Sequence, residues 1–202
     1  MTSEMWDERY ATKEYVWAIE PNQFVKEHLT DLDPGTAIDL GAGEGRNAVW
    51  LASLGWQATA VDFSAVALEK GEKLAADHDV SVNFVQADAT TYQAPEQVDL
   101  VVLSYLQLPA DKQSVILEHA KTWVRPGGTL FVIAHDESNV ADGYGGPPVS
   151  EVCYTVDRTV TALDGLDIVT AEVAERIVDT PDGPQTALDT LVIAKGPSES
   201  NN

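Results

Sequence analysis

The 202-residue chain has one cysteine, Cys153, two methionines, and only 12 lysines and arginines against 33 aspartates and glutamates. A single cysteine excludes an internal disulfide and any cysteine-rich metal site, and the position of Cys153 suits a half-buried core thiol. No metal is expected. The shortage of basic residues leaves a formal net charge of −21. Such a field repels phosphate backbones before close contact forms, so nucleic acid is not an expected partner. Its functional reading is attraction of a cationic substrate, and its simpler reading is a well-hydrated, soluble surface. No stretch approaches the 18 or so apolar residues of a membrane helix, and the longest runs, such as Leu130 to Ala134, are strand-sized. Met1 to Arg9 carries Glu4, Asp7 and Glu8 and lacks the basic-then-apolar pattern of a signal peptide, so the expected location is cytoplasmic.

What is present fits one α/β domain, since 44% of the residues are hydrophobic and the length argues against two. From Thr36 onward short apolar runs alternate with helical patterns, the mark of a parallel sheet covered by helices on both faces. Strands are expected at 36–40, 57–61, 82–85, 98–103 and 129–134. Helices are expected at 45–54, from Ser64 as cap to about Asp77, and from Asp111 through Val124, where Arg125-Pro126-Gly127-Gly128 stops the last one. The crossover at 88–97 is short for a helix and is left undecided. Beyond the Gly/Pro loop Gly143 to Pro148 the pattern turns antiparallel. A short helix is expected at 155–163, and Ile168 to Val178 and Ala187 to Ala194 flank Asp182-Gly183 as a hairpin. Residues 1–35 form an N-terminal helical segment, with helical stretches near Trp6 to Tyr10 and from Pro21 to Leu29. Residues 36–196 make the domain, and 197–202 a disordered tail.

A strand ending in Asp39-Leu40 and entering Gly41-Ala42-Gly43-Glu44-Gly45-Arg46 lets the backbone turn sharply and approach a ligand where a side chain would collide. A dinucleotide fingerprint is G-x-G-x-x-G, whereas here Arg46 stands where the third glycine would pack. No Lys-Ser or Lys-Thr pair follows to make a P-loop. Glu44 would oppose a triphosphate but tolerates a ligand carrying a sulfonium cation. Asp62, at the end of the second strand, is placed to accept both ribose hydroxyls, or else to favour the helix that follows. Phe63 beside it stacks on adenine or fills the core, and Asp88, past the third strand, is placed to accept the adenine amino group.

Together these residues resemble the class I, Rossmann-like S-adenosylmethionine-dependent methyltransferases. Asp39-Leu40-Gly41-Ala42-Gly43-Glu44-Gly45 is similar to that family's first motif, Val61-Asp62-Phe63-Ser64 to its ribose site, and Gln86-Ala87-Asp88-Ala89 to its adenine site. Asp99 to Tyr105 and Arg125-Pro126-Gly127-Gly128 complete the series. The resemblance implies a three-layer sandwich with a seven-stranded, mostly parallel sheet whose last strand is antiparallel. It also implies S-adenosyl-L-methionine as cofactor, held by Asp39, Gly41, Ala42, Gly43, Arg46, Asn47, Asp62, Phe63, Ser64, Asp88, Ala89 and Ser104. A narrower likeness lies in Trp6-Asp7-Glu8-Arg9-Tyr10, Glu20-Pro21-Asn22 and Glu44-Gly45-Arg46-Asn47-Ala48, which look like the small tellurite-resistance and thiopurine-type methyltransferases. That branch methylates small, soft acceptors under an N-terminal lid. It would place Trp6, Arg9, Tyr10 and Tyr15 over the cofactor, although Trp6, Tyr10 and Trp17 equally suit packing on the domain.

Methyl transfer from a sulfonium is an in-line displacement, so alignment in a dry pocket is the main task and a base is optional. A thiol or a tellurium or selenium oxyanion needs none, whereas an oxygen or amine acceptor benefits from one. Candidates at the sheet's carboxyl edge are Tyr105, His135 and Tyr144. Gln107 stands where many relatives carry a histidine. It motivates the alternative that the domain binds cofactor without transfer, as a sensor or interaction module. The expected partner is a small-molecule substrate, and nothing in the spacing decides the oligomeric state.

Overall fold

A computed structural model describes residues 3–16 and 18–198. Trp17 and most of the expected tail, from 199 on, lie outside the described residues. Seven strands follow the sheet order β3-β2-β1-β4-β5-β7-β6. The chain divides into two compact units, residues 1–104 and 105–202.

The first unit carries β1 (Thr36–Leu40), β2 (Gln57–Asp62), β3 (Asn83–Gln86) and β4 (Val98–Ser104). The pairings β1 with β2, β1 with β4 and β2 with β3 are all parallel. Helices cover this sheet, so its central strands are mostly apolar and largely buried on both faces, with Asp39 in β1 and Asp99 in β4 as exceptions. Leu100, Val101, Val102 and Leu103 of β4 are all at most 1% exposed, each burial worth about 1.5–3 kcal/mol. The helices are α1 (Ser3–Tyr10), α2 (Gln23–Leu29), α3 (Arg46–Ser53) and α4 (Ala65–Asp77). Asn22 caps α2, its Oδ1 accepting from Phe24 N–H at 2.9 Å, and Ser64 caps α4, its Oγ accepting from Ala67 N–H at 3.1 Å.

Residues 88–97, undecided from sequence, form a loop of turns. Asp88 starts it, its Oδ1 accepting from Thr90 N–H at 2.8 Å and Thr90 Oγ1 at 2.7 Å, a local bonding pattern that competes with a helix. A cavity of about 720 Å³ lined by Gln57, Thr59, Asn83, Tyr92, Glu96 and Val98, among others, opens toward the amino ends of these strands. The glycine loop lies at their carboxyl ends.

The second unit holds α5 (Ala110–Trp123), β5 (Val124–His135), α6 (Asn139–Asp142), a 3-10 turn (Ser150–Val152), α7 (Val156–Ala162), β6 (Asp167–Val178) and β7 (Gln185–Lys195). β7 pairs antiparallel with both β5 and β6. One expectation is corrected. Arg125-Pro126-Gly127-Gly128 does not separate helix from strand but belongs to β5, because Gly127 N–H donates to Gly196 O at 2.9 Å and Gly196 N–H to Gly128 O at 2.9 Å. The expected hairpin around Asp182-Gly183 is present as β6 and β7. Their connection spans 179–184, with Gly183 at φ +109° and its N–H donating to Thr180 O at 3.0 Å.

Candidate functional site

In the first unit, the glycine loop leaves β1 through left-handed backbone at Gly41 (φ +74°), Gly43 (φ +55°) and Gly45 (φ +73°). Gly41 and Ala42 N–H groups both donate to Val61 O, at 2.8 and 3.0 Å, which fastens the loop to β2. Asp62 joins the two strand ends, Oδ2 accepting from Gly43 N–H at 2.8 Å and Oδ1 from Ser64 N–H at 2.9 Å. Burial raises the Asp62 carboxyl pKa above its ordinary value, and these N–H groups partly offset that. A carboxylate has about four lone-pair sites, so acceptor capacity remains for two hydroxyls.

The close approach expected of a third fingerprint glycine is supplied elsewhere. A Cβ at Gly45 would lie 3.0 Å from the Phe84 ring, and one at Gly71 on α4 would lie 2.5 Å from it and 3.2 Å from Glu44 O. Gly45 and Gly71 therefore allow helix, loop and strand to meet, and Arg46 opens α3.

Asp39 is 1% exposed, and neither carboxylate oxygen has a hydrogen-bond partner. Burial pushes its pKa up to about 7, the charge of Arg46 pulling it back only in part. Ser104 at the end of β4 also carries a buried Oγ without a hydrogen-bond partner. An orphaned buried acid and hydroxyl at strand ends are unfavourable unless a ligand completes them. A cationic, donor-rich group such as the ammonium of S-adenosylmethionine fits Asp39, and the residues present fit that cofactor.

The N-terminal segment lies over the loop. A Cβ at Gly43 would sit 2.7 Å from Tyr10 Oη, and Tyr10 is buried. Trp6 stacks 5.6 Å from Tyr10, and the Arg9 guanidinium stands 5.1 Å from the Trp6 ring centre. Asp7 Oδ1 accepts from Ser64 Oγ at 2.5 Å, binding α1 to the cap of α4. Phe63, half-buried, accepts through its carbonyl from Gln86 Nε2 at 3.2 Å. Asp88 is exposed and Ala89 half-buried beyond β3.

Three residues take partners within the first unit. Glu44 faces the N-terminal segment, its Oε1 and Oε2 each accepting from Val16 N–H at 3.0 Å and Oε1 pairing with Lys70 Nζ at 3.1 Å. Its charge is compensated within the protein, so it does not select against a triphosphate as the sequence suggested. Asn47 Oδ1 accepts from Asn22 N–H at 2.9 Å and ties down the start of α2. Tyr15 packs against the cluster of Val49, Leu74 and Ala75.

In the second unit the acceptor candidates separate. Tyr144 is 44% exposed, with its backbone N–H on Thr186 O at 2.9 Å. Tyr105 adopts φ +56°; its hydroxyl donates to Asp189 Oδ2 at 2.6 Å and accepts from Arg176 Nε at 3.0 Å. Burial, then the charge of Asp189, drive its pKa well above that of an ordinary phenol, which keeps the hydroxyl protonated. His135 Nδ1 lies 3.1 Å from Asp189 Oδ1. Asp189 and Arg176 escaped the sequence reading, though an acid inside the apolar run Ala187 to Ala194 is an anomaly that pointed to Asp189. Gln107 is a tie between backbones. With its amide turned to satisfy both neighbours, nitrogen donates to Val152 O at 2.5 Å and oxygen accepts from His135 N–H at 3.0 Å. Its replacement of a histidine therefore says little against transfer.

A model of the methyltransferase domain family matches residues 37–128. Those residues are similar to a methyltransferase domain. The match includes the glycine loop, Asp62, Asp88 and the end of β4. The chain is 32% identical over 109 residues to ribosomal RNA small subunit methyltransferase C of Alcanivorax borkumensis, covering 52% of this chain and 33% of that one. It spans less than two thirds of the length of the curated relatives it matches. TehB from Haemophilus influenzae superposes with a TM-score of 0.75 at 15% identity, over 94% of this chain and 66% of that one. The N-methyltransferase NodS of Bradyrhizobium japonicum, in complex with S-adenosyl-L-homocysteine, superposes at 0.74 and 14% identity, over 97% and 98%. These structures establish the Rossmann-like methyltransferase fold, with its mostly parallel seven-stranded sheet and antiparallel last strand. Among the described residues no helix is long and apolar enough to cross a membrane, and no group of three or more His, Cys, Asp and Glu is placed to hold a metal ion.

Proposed function

We propose that the protein transfers a methyl group from S-adenosylmethionine to a small-molecule acceptor. The observation that carries this reading is Asp39, a fully buried carboxylate without a hydrogen-bond partner at the mouth of the glycine loop. When bound, the cofactor supplies an electrophilic methyl group on a sulfonium. Asp39 receives the cationic ammonium, Asp62 the ribose hydroxyls, and Asp88 with Phe63 the adenine. The loop amides from Gly41 to Gly43 lie where no side chain obstructs the approach, and Trp6, Arg9 and Tyr10 on α1 exclude water from above. A net charge of −21 favours a small acceptor over a nucleic acid, even though one relative is named for ribosomal RNA. Soft acceptors such as a thiol or a tellurium or selenium oxyanion would need no base, whereas a hydroxyl would.

Calorimetry with S-adenosylhomocysteine tests the cofactor half of this reading. Wild-type protein should bind, and Asp62→Ala should bind at least about tenfold more weakly, the loss expected for hydrogen bonds to a charged group. Absence of binding by wild type at high micromolar ligand would overturn it.

A further inference from the structure

We propose that the outer edge of β6 is a docking site for an extended, basic segment of another protein, which adds to the sheet as a further strand. The site lies wholly on the second unit and does not depend on the transferase reading above.

β6 stands at one end of the sheet order and pairs only with β7. At 12 residues it is long for a strand. From Thr170 to Val178 its register with β7 is unbroken, a run of about 30 Å. Along β6 no backbone N–H or carbonyl bonds to a turn, a loop or a side chain among the described residues. The groups that point away from β7 are therefore open to an incoming strand.

The side chains of β6 differ from those one strand further in. β7 is buried on both faces, at Leu191 on one and Val192 on the other. On β6, Val173, Glu175 and Ile177 alternate along one face. Val173 is 45% and Ile177 60% exposed, and Glu175 between them is exposed as well. Val169, at the bulge that precedes the unbroken run, is 62% exposed. The opposite face turns inward at Ala174, which is buried beside its register partner Asp189. It does so again at Arg176, whose Nε donates to Asp189 Oδ2 at 2.7 Å. Exposed valine and isoleucine on unpaired strand backbone make a surface that is stabilised by being covered.

The charge on this edge selects the partner. Asp167, Glu172 and Glu175 on β6, and Asp179 just beyond it, have side chains with no ion pair or hydrogen bond among the described residues. The one cation of the strand, Arg176, is engaged by Asp189. A partner strand carrying lysine or arginine between β-branched residues matches both features, with apolar side chains against Val173 and Ile177 and cations against the glutamates. A second copy of this chain does not. It brings the same carboxylates to the junction and no unengaged cation, on a chain whose net charge is −21. The glutamates thus keep copies apart while leaving the edge open to a cationic strand.

The test uses the full chain and a fluorescent peptide of alternating valine and lysine, long enough to span Thr170 to Val178, with binding read by anisotropy. The peptide should bind, and its affinity should fall as salt is raised. The same peptide with its backbone amides N-methylated keeps its charges and side chains but cannot pair, and should bind at least about tenfold more weakly. Glu172→Lys combined with Glu175→Lys should weaken the unmodified peptide about fivefold or more. Ile177→Lys, at a position already exposed, should weaken it as well, and thermal melts will show that these surface variants stay folded. Equal binding of the N-methylated peptide would reduce the contact to unspecific charge attraction and overturn the added strand. No binding by wild type, or undiminished binding by the charge-reversed variants, overturns it too. A dimer in light scattering that Ile177→Lys dissolves would give the edge to a second copy instead and overturn the basic partner.

Discussion

Lys70 Nζ lies 3.1 Å from Glu44 Oε1 and also donates to the carbonyls of Tyr10 at 2.5 Å and Lys13 at 2.6 Å. One ammonium on α4 thus holds the end of α1, the following turn and the glycine loop. The Glu44 side chain is 4% exposed and that of Lys70 17%, so the pair is shielded from solvent screening. Lys70→Met should cost about 2–3 kcal/mol by leaving a buried carboxylate without the Lys70 counter-charge. Urea titration gives the loss, and trypsin should cut faster after Lys13. An unchanged cutting rate would mean that Lys70 does not fasten the segment.

Gly43 and Tyr10 should be coupled in the same region. Gly43→Ala places a side chain in left-handed backbone, costing about 1–2 kcal/mol, and drives its Cβ to 2.7 Å from Tyr10 Oη. Tyr10→Phe removes the clashing oxygen but not the backbone penalty. In a double-mutant cycle, G43A should therefore be less destabilising in the Y10F background, by roughly 0.5 kcal/mol or more. Strict additivity would show that the two do not meet in solution.

Much of this site was legible because its signals are local. The apolar runs of β1, β2 and β4, the glycines between β1 and α3, and the Ser64 cap each depend on a few consecutive residues. What stayed hidden depends on partners distant in the chain. Glu44 reads as a ligand-facing charge until Val16 and Lys70 are seen to claim it. The bond from Asn22 N–H to Asn47 Oδ1 likewise joins residues 25 apart in the chain. Arg125-Pro126-Gly127-Gly128 reads as a break, yet pairing with Gly196 extends β5 through it. His135 was visible as a strand-end residue, but its partner Asp189 enters only through the antiparallel register of β5 and β7.

Asp39 should make the unliganded protein less stable as pH rises. Its folded pKa, about 7, exceeds the ordinary unfolded value, so the folded state binds more protons between roughly pH 4 and 7. The favourable contribution is complete below the unfolded pKa and is lost as pH rises through the folded one. Asp39→Asn removes that loss and should be more stable than wild type at pH 8, by up to about 4 kcal/mol. The two should converge near pH 4 in thermal melts. The same variant should bind S-adenosylhomocysteine more weakly, exchanging function for stability. Parallel stability curves for the two proteins across this range would contradict a raised pKa.

Asp189 should act with the opposite sign. Its folded pKa lies below the ordinary carboxylate value, so its contribution is present above the unfolded pKa and is lost as pH falls through the folded one. Asp189→Asn keeps the shape but strips the charge facing Arg176 Nε at 2.7 Å and His135 Nδ1 at 3.1 Å. The Arg176 side chain is 20% exposed, so it would be left largely desolvated and without its counter-charge, and the cost at pH 7 should be about 3 kcal/mol. In acid the wild-type carboxylate is itself protonated, and the gap between the two proteins should narrow as the pH falls below about 4. Arg176→Met in the D189N background removes the stranded charge and should recover part of the loss. No recovery would place the destabilisation in the Tyr105 and His135 contacts and not in the ion pair.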